Sequence, residues 1–375
     1  MKLTPRLFGL LFGGLAAVGV RAEGLLLRGT VGKYPVVIQL DSDGKTLFGD
    51  YFYEKHKQGI PLHGSVEQQT YQLKSGVFDM DGAKTDQFTL SKVDGGFFKG
   101  TFTTDKGPVL PVELHAVDPG SVADPRPDLH LHLLESRSAY EKLQLTDLKF
   151  IAGKKETVGG KYQIQWYRES LSGISMFHVT GGYSESAMAG INRVIDQDFY
   201  ASVSHYFGCP SGDGGSGTES LKVSSHYLSE RFVSYSIASS WDCAGAAHPD
   251  FSTAGTIIDA QSGRELELED IYGLGTGQKP APDSDALRDY REKVFAPAVV
   301  KLFQRLYPQQ MQKDGDEGCD YNDPGVWDVG PWYLTDKGLY AGAYFARVER
   351  SCDAPDWSII PYSVLKKRNP ALFGD

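Results

Sequence analysis

The chain has 375 residues, with 48 acidic and 38 basic side chains and a formal net charge of −10 at pH 7. A surface of this sign repels nucleic acid and anionic lipid, so it argues against both as partners; it favours cationic partners or serves solubility alone. Beyond the first 22 residues no stretch approaches the about 18 consecutive apolar residues of a membrane helix, so we expect no membrane span in the mature chain.

Residues 1–22 have the pattern of a signal peptide. Lys2 and Arg6 form a positive start, 7–20 form an apolar stretch, and Val20-Arg21-Ala22 is typical of a cleavage site. No cysteine lies near the cut, so no lipid anchor is expected. The pattern predicts export, with a periplasmic location and secretion as the alternative. Loss of this leader removes basic residues only and makes the mature chain more acidic.

Residues 23–118 read as an all-β domain. Short alternating strands such as Val36–Leu40 and Gly49–Tyr53 are separated by turn sequences, for example at 41–44 and 94–96. This spacing predicts an antiparallel meander that closes into a small barrel or half-barrel. Three glycines inside the strands are typical of bends at barrel corners: Gly49, Gly64 and Gly100.

Residues 119–128 read as a linker, because prolines and a glycine in a polar stretch oppose both helix and central strand. Residues 129–375 then mix strand and helix patterns, and we expect an α+β domain whose mixed sheet carries helices on one face. The predicted elements are strands at 129–134 and 161–167, a helix from Ser184, two strands within 220–240, a hairpin over 251–268, a helix at 285–306 kinked by Pro297, a hairpin over 332–348 and a last strand near 360.

Four cysteines lie in the second domain, and disulfides are the default for an exported chain. Three pairings are possible. We favour Cys209 with Cys243 and Cys319 with Cys352, because each pair brackets segments that read as neighbours in one sheet. A zinc site is the competing use, but the sequence has no Cys-x-x-Cys or Cys-x-x-His spacing.

The stretch from Cys243 to Phe251 contains the candidate binding loop, which comprises His248, Pro249, Asp250 and Phe251. Proline fixes its own φ and restricts the residue before it, so the loop should display Phe251 with little ordering on association. A pre-organised aromatic side chain is a common anchor of binding interfaces. The alternative is that His-Pro shapes the entry to a strand and Phe251 fills the core.

An ordered set of fragments resembles the DUF3298 family of extracytoplasmic domains over roughly the last 210 residues. The fragments are Phe232-Val-Ser-Tyr-Ser, Cys243-Ala-Gly-Ala-Ala-His-Pro, Gly263-Arg-Glu-Leu-Glu-Leu-Glu-Asp-Ile, Tyr333-Leu-Thr-Asp-Lys-Gly-Leu and Ile360-Pro-Tyr-Ser.

A better-understood relative of this family is the lysozyme-binding sensor of a bacterial anti-sigma factor. The resemblance implies that lysozyme contacts lie in the loop from His248 to Phe251, with phenylalanine where the family has tyrosine. The relative's membrane span and sigma-binding segment have no counterpart here, so the resemblance implies binding without that signalling route.

The catalytic motifs in the chain are incomplete. Ser363-Val-Leu-Lys366 lacks the partner motifs of penicillin-recognising enzymes, His130 and His132 read as a neutral pair on one face of a strand, and the acidic loop 314–323 has its glycine misplaced for calcium. Five tryptophans could line a glycan groove or belong to the core.

We therefore expect no enzyme activity, cofactor or metal. The sequence predicts a binding protein for a cationic cell-wall hydrolase such as lysozyme. The alternative is a peptidoglycan or envelope-glycan binding module, with the N-terminal barrel as the ligand cup.

Overall fold

The computed structural model describes residues 24–76, 86–104, 107–212, 215–273, 280–281, 284–313 and 318–374. The expected signal peptide lies outside these residues. An eight-stranded antiparallel barrel comes first and is followed by three sheets with helices, which confirms the predicted α+β class. Among the described residues, no helix combines the length and the apolar character needed to cross a membrane.

The barrel is a meander in which each strand pairs with the next and β8 closes on β1. Alternation along the strands turns one set of apolar side chains inward, as the sequence predicts. The strands are β1 (Leu25–Val31), β2 (Tyr34–Asp43), β3 (Thr46–Tyr53), β4 (Ile60–Glu67), β5 (Thr70–Ser75), β6 (Gln87–Val93), β7 (Phe97–Thr103) and β8 (Leu110–Ala116).

The interior of the barrel is filled by side chains. Leu27, Ile38, Phe88 and Leu90 are completely buried there, and Tyr51 packs edge-on against Phe88 at 5.2 Å between ring centroids. An eight-stranded barrel is just wide enough for its own side chains, so the described interior leaves little space for the expected ligand cup.

Three strand glycines permit the curvature of the barrel. A Cβ atom at Gly49, Gly64 or Gly100 would overlap a carbonyl oxygen of the adjacent strand. The backbones can approach this closely only where no side chain stands between them. The glycines at these positions thus have a steric cause, and the bends stay a prediction.

The second domain begins with a short helix where the sequence predicts a strand over 129–134. Helix α1 (His132–Ser136) buries Leu133 and Leu134. Two consecutive buried side chains do not fit the two-residue period of a strand, and His130 has a φ of +48°, which ends the extended run. The strand prediction is therefore wrong here.

Helix α2 (Ala139–Gln144) packs against the outside of the barrel. The Tyr140 ring lies 5.0 Å from the Phe52 ring, and the Gln144 side-chain amide donates to the Lys57 carbonyl oxygen at 2.6 Å. The Lys57 ammonium donates in return to the Leu143 carbonyl oxygen at 3.1 Å. These contacts join the barrel directly to the second domain.

The second domain contains three sheets, and every strand pairing in them is antiparallel. Three separate antiparallel sheets therefore stand in place of the expected mixed sheet. The first sheet comprises β9 (Phe150–Val158), β10 (Tyr162–Glu169) and β11 (Ser175–Gly181). The second sheet comprises β12 (Thr218–Leu228), β13 (Phe232–Trp241), β14 (Asp250–Asp259) and β15 (Arg264–Glu265). The third sheet comprises β16 (Trp332–Leu334), β17 (Gly338–Ala341) and β18 (Ile359–Pro361).

The long helix α3 (Glu185–Phe207) begins where the sequence predicts. The Ser184 hydroxyl accepts a hydrogen bond from the Ala187 backbone N–H at 3.3 Å and caps the helix. Its apolar positions Ile191, Ile195 and Phe199 are buried against the first two sheets. The remaining helices are α4 (Leu268–Ile271), α5 (Asp285–Tyr290), α6 (Ala296–Leu306), α7 (Tyr362–Arg368) and α8 (Pro370–Phe373).

A π-helical turn at Arg291–Phe295 joins α5 to α6 at the predicted kink. The Ala296 N–H donates to the Arg291 carbonyl oxygen, five residues back, and Pro297, which has no N–H, follows directly. The wider turn directs the Arg291 side chain to Glu269, with hydrogen bonds of 2.7 and 3.1 Å.

Candidate functional site

Two disulfide bonds staple the second domain. Cys209 pairs with Cys243 and Cys319 pairs with Cys352, so the predicted connectivity is confirmed. Disulfides of this kind are consistent with an exported protein. The first bond joins the end of α3 to the chain beyond β13, and the second joins the 318–323 loop to the chain between β17 and β18.

The four residues of the predicted binding loop lie at the start of β14. His248 and Pro249 precede the strand, and Asp250 and Phe251 are its first two residues. The Phe251 side chain is 44% exposed. The alternative that Phe251 fills the core is therefore wrong, and the aromatic ring is available at the surface.

The Phe251 ring is held by Arg350, which lies far along the chain. The Arg350 guanidinium covers the ring at 4.5 Å from its centroid and donates to the Phe251 carbonyl oxygen at 2.6 Å. The guanidinium also lies 4.7 Å from the Tyr344 ring centroid. A guanidinium this close to two aromatic rings is stabilised by cation–π attraction to both.

The charge of Arg350 is balanced by two carboxylates. The guanidinium donates to Asp250 Oδ1 at 3.0 Å and to Asp353. Asp353 in turn accepts from the Phe345 backbone N–H at 2.6 Å. The Arg350 and Asp353 side chains are nearly buried, so each depends on the other for compensation of its charge.

The backbone of Phe251 is also satisfied by side chains. Its N–H donates to Asp250 Oδ1 at 2.8 Å, while its carbonyl oxygen accepts from Arg350. These bonds fix the backbone from which the ring projects. Phe251 therefore presents its exposed side with little freedom left to lose.

The segment that holds the Phe251 ring also carries exposed side chains. Tyr344 is 37% exposed and Val348 is 92% exposed, and both belong to the segment that carries Arg350. Arg347 lies at the border and approaches Asp250 to 3.5 Å. We call this set the Phe251 surface: Phe251, Tyr344, Arg347, Val348 and Arg350.

Sequence reasoning found only Phe251 of this set. The other four lie about 100 residues away, and nothing in their local pattern distinguishes them from an ordinary loop. The only available signal was the neighbouring Cys352, since a disulfide prediction marks that segment as ordered. Pairing between β14 and this segment could not be read from one sequence.

The charge at the Phe251 surface differs from the net negative charge of the chain. Asp250 is engaged by Arg350 and approached by Arg347, so its carboxylate is not available as an isolated negative charge. The net negative charge of −10 therefore acts over the whole chain and not at this corner. His248 is exposed and its Nδ1 lies 3.2 Å from the Pro249 carbonyl oxygen.

The other candidate sites are dispersed in the structure. His130 and His132 do not share a strand, and His132 pairs with Glu135 at 3.3 Å. Ser363 and Lys366 lie exposed on α7. Part of the 314–323 loop lies outside the described residues, and the described residues contain no group of three or more side chains suited to a metal.

The tryptophans do not line a groove. Three of them are buried: Trp241, Trp327 and Trp332. Trp327 and the half-buried Trp357 pack with Phe303 at 4.9 and 5.7 Å between ring centroids, in the core under the Cys319–Cys352 disulfide. The glycan-groove interpretation is not supported by this arrangement.

Comparison with protein-family models, with curated proteins and with solved structures finds no match. The resemblance to the DUF3298 family thus stays a prediction.

Proposed function

We propose that this protein is an exported, periplasmic binding protein that captures a cationic cell-wall hydrolase of the lysozyme type through the Phe251 surface. The observation that carries the proposal is the exposed Phe251 ring, which Arg350 clamps at 4.5 Å. The protein would act by binding and supply no catalytic group of its own.

A clamped aromatic ring is a favourable anchor for a partner. Association loses free energy when side chains and loops must be ordered, and this loss is small where the geometry already exists. Hot spots of interfaces are enriched in aromatic residues and arginine, which are the residue types of the Phe251 surface. Val348, on the same segment as Arg350, adds exposed apolar area.

The cationic partner is supported by the charge of the whole chain. With a net charge of −10, the protein attracts a basic partner over distance and accelerates encounter at low salt. The apolar contact at Phe251 would then determine the lifetime of the complex. The loop at 248–251 is also where the resemblance to the DUF3298 family implies lysozyme contacts.

The test is a titration of the full mature chain with lysozyme, with the dissociation constant and the residual lytic activity as readouts. We expect a micromolar or tighter complex that inhibits lysis, and at least tenfold weaker binding for Phe251→Ala. Phe97→Ala is the matched control, because Phe97 is 52% exposed and lies on the barrel strand β7, outside the Phe251 surface.

Absence of binding at micromolar concentration would overturn the proposal, as would equal losses for Phe251→Ala and Phe97→Ala. Retention on insoluble peptidoglycan without any lysozyme binding would favour the glycan-binding alternative.

A further inference from the structure

The Cys319–Cys352 disulfide ends the segment that carries most of the Phe251 surface. Tyr344, Arg347, Val348 and Arg350 all lie within the nine residues up to Cys352. We infer that this disulfide is a redox-sensitive latch: when it is reduced, residues 344–352 detach from β14 while the rest of the fold persists.

The first end of this segment is held independently of the disulfide. The Tyr344 N–H donates to the Val326 carbonyl oxygen at 2.7 Å, and the Phe345 N–H donates to Asp353 at 2.6 Å. The second end is tied by the disulfide, and just beyond it the Ala354 N–H donates to the Ala343 carbonyl oxygen at 3.2 Å. Cys352 is bonded to Cys319, and its carbonyl oxygen accepts from the Tyr321 hydroxyl at 3.0 Å, two residues beyond Cys319.

The middle of the segment has little stability of its own. Arg347–Cys352 forms a 3-10 helix, and a helix of six residues is marginal without tertiary support. Its contact with β14 consists of arginine side chains that reach Asp250 and Phe251. Breaking the covalent tie therefore leaves a short helix whose contact with β14 is made by side chains alone.

The other disulfide has a backbone framework around it. The Ala244 N–H donates to the Pro210 carbonyl oxygen, and the Gly217 N–H to the Cys209 carbonyl oxygen, both at 2.7 Å. The Asp242 N–H donates to the Gly217 carbonyl oxygen at 2.8 Å. These bonds join the same two chain segments as Cys209 and Cys243, so reduction there leaves the segments in place.

The reductant is a dithiol, either a small molecule or a dithiol protein of the envelope. It breaks the Cys319–Cys352 S–S bond by thiol–disulfide exchange and is itself oxidised to a disulfide. The two electrons and two protons that the dithiol gives up convert Cys319 and Cys352 to thiols. The effect of the latch on a partner rests on the proposed function, whereas its effect on the segment does not.

The experiment compares limited trypsin cleavage after Arg347 and Arg350 in the full mature chain, in C319A/C352A and in the matched control C209A/C243A. Cleavage requires local opening of the segment. We expect at least tenfold faster cleavage at these two bonds in C319A/C352A, and a change below twofold in C209A/C243A. The wild-type chain treated with dithiothreitol should follow C319A/C352A at these bonds.

Equal cleavage rates in the two double variants would overturn the latch, and so would global unfolding of C319A/C352A by circular dichroism, because the bond would then staple the whole domain. The dithiothreitol-treated wild-type chain is the control for effects of the alanine substitutions themselves, because it lacks the disulfide but keeps both cysteines. Lysozyme titration of the same samples separates the two ideas: faster cleavage with no lysozyme binding in any sample retains the latch and rejects the proposed function.

Discussion

The Arg350 guanidinium covers one face of the Phe251 ring, with its central carbon 4.5 Å from the ring centroid, although the two residues are 99 positions apart in the chain. This stack connects the strand β14 to the segment stapled by Cys352. It means that the exposed loop identified in the sequence owes its rigidity to a distant residue as well as to Pro249.

Replacement of Arg350 by alanine should lower the free energy of unfolding by about 3–5 kcal/mol, because it leaves the nearly buried Asp353 carboxylate without its partner. Arg350→Lys keeps the charge but loses the flat stacking surface, so its effect should be intermediate. Urea denaturation measures both. Arg347→Ala is the control: this side chain is 46% exposed and should contribute no more than about 1 kcal/mol. Equal losses for Arg347 and Arg350 would contradict the assignment.

The Glu269–Arg291 ion pair predicts a similar contrast among the helices. Glu269 is 3% exposed and forms a bidentate pair with Arg291, so Glu269→Gln should destabilise the fold by about 3–5 kcal/mol. The exposed Arg288–Asp285 pair lies on the adjacent helical turn. Asp285→Asn should cost less than about 1 kcal/mol in the same denaturation experiment, and a cost comparable to that of Glu269→Gln would show that burial does not decide the outcome.

Much of the fold could be predicted because its signals are local. The strand alternation and turns of the barrel, the Ser184 cap of α3 and the break near Pro297 each act within a few residues. The strand predicted over 129–134 failed because tertiary burial of Leu133 and Leu134 overrides a short apolar pattern. The clamp on Phe251 could not be predicted, since it depends on pairing between segments whose proximity only the folded chain creates.

Glycine-to-alanine substitutions test the cause of the barrel curvature. Gly100→Ala would push a Cβ atom into the Thr89 carbonyl oxygen of the adjacent strand. We therefore expect the free energy of unfolding to fall by about 1–3 kcal/mol. Gly212→Ala places its Cβ atom in open space and should be close to neutral. Thermal unfolding of the two variants provides the comparison, and a neutral Gly100→Ala would mean that the barrel can relax at this corner.

His205 predicts a loss of stability on acidification. Burial lowers the pKa of its imidazole, whose Nε2 is buried without a hydrogen-bond partner among the described residues and whose ring lies 5.4 Å from that of Trp241. The unfolded chain, with a pKa near the ordinary value of about 6.5, binds the proton first as the pH falls. The free energy of unfolding should therefore be unaffected by this residue well above pH 6.5 and should decrease below it.

His205→Phe should remove that part of the pH dependence, as measured by urea denaturation between pH 7.5 and about pH 5. His115→Phe is the control, because His115 is exposed on the barrel. An identical acid response in wild type and His205→Phe would rule out His205 as the source.

The hydrogen bonds of Asp250 and Arg350 to the Phe251 backbone also bear on the open sheet edge of β14. Strand β14 is paired on one side by β13 and on the other by the two-residue strand β15 only near its far end, so its beginning is a sheet edge. An open edge invites a foreign strand and aggregation. Here a carboxylate and a guanidinium occupy the Phe251 N–H and carbonyl groups that such a strand would use. The same two side chains that steady the aromatic ring thereby occupy the positions at which a foreign strand would add to the sheet.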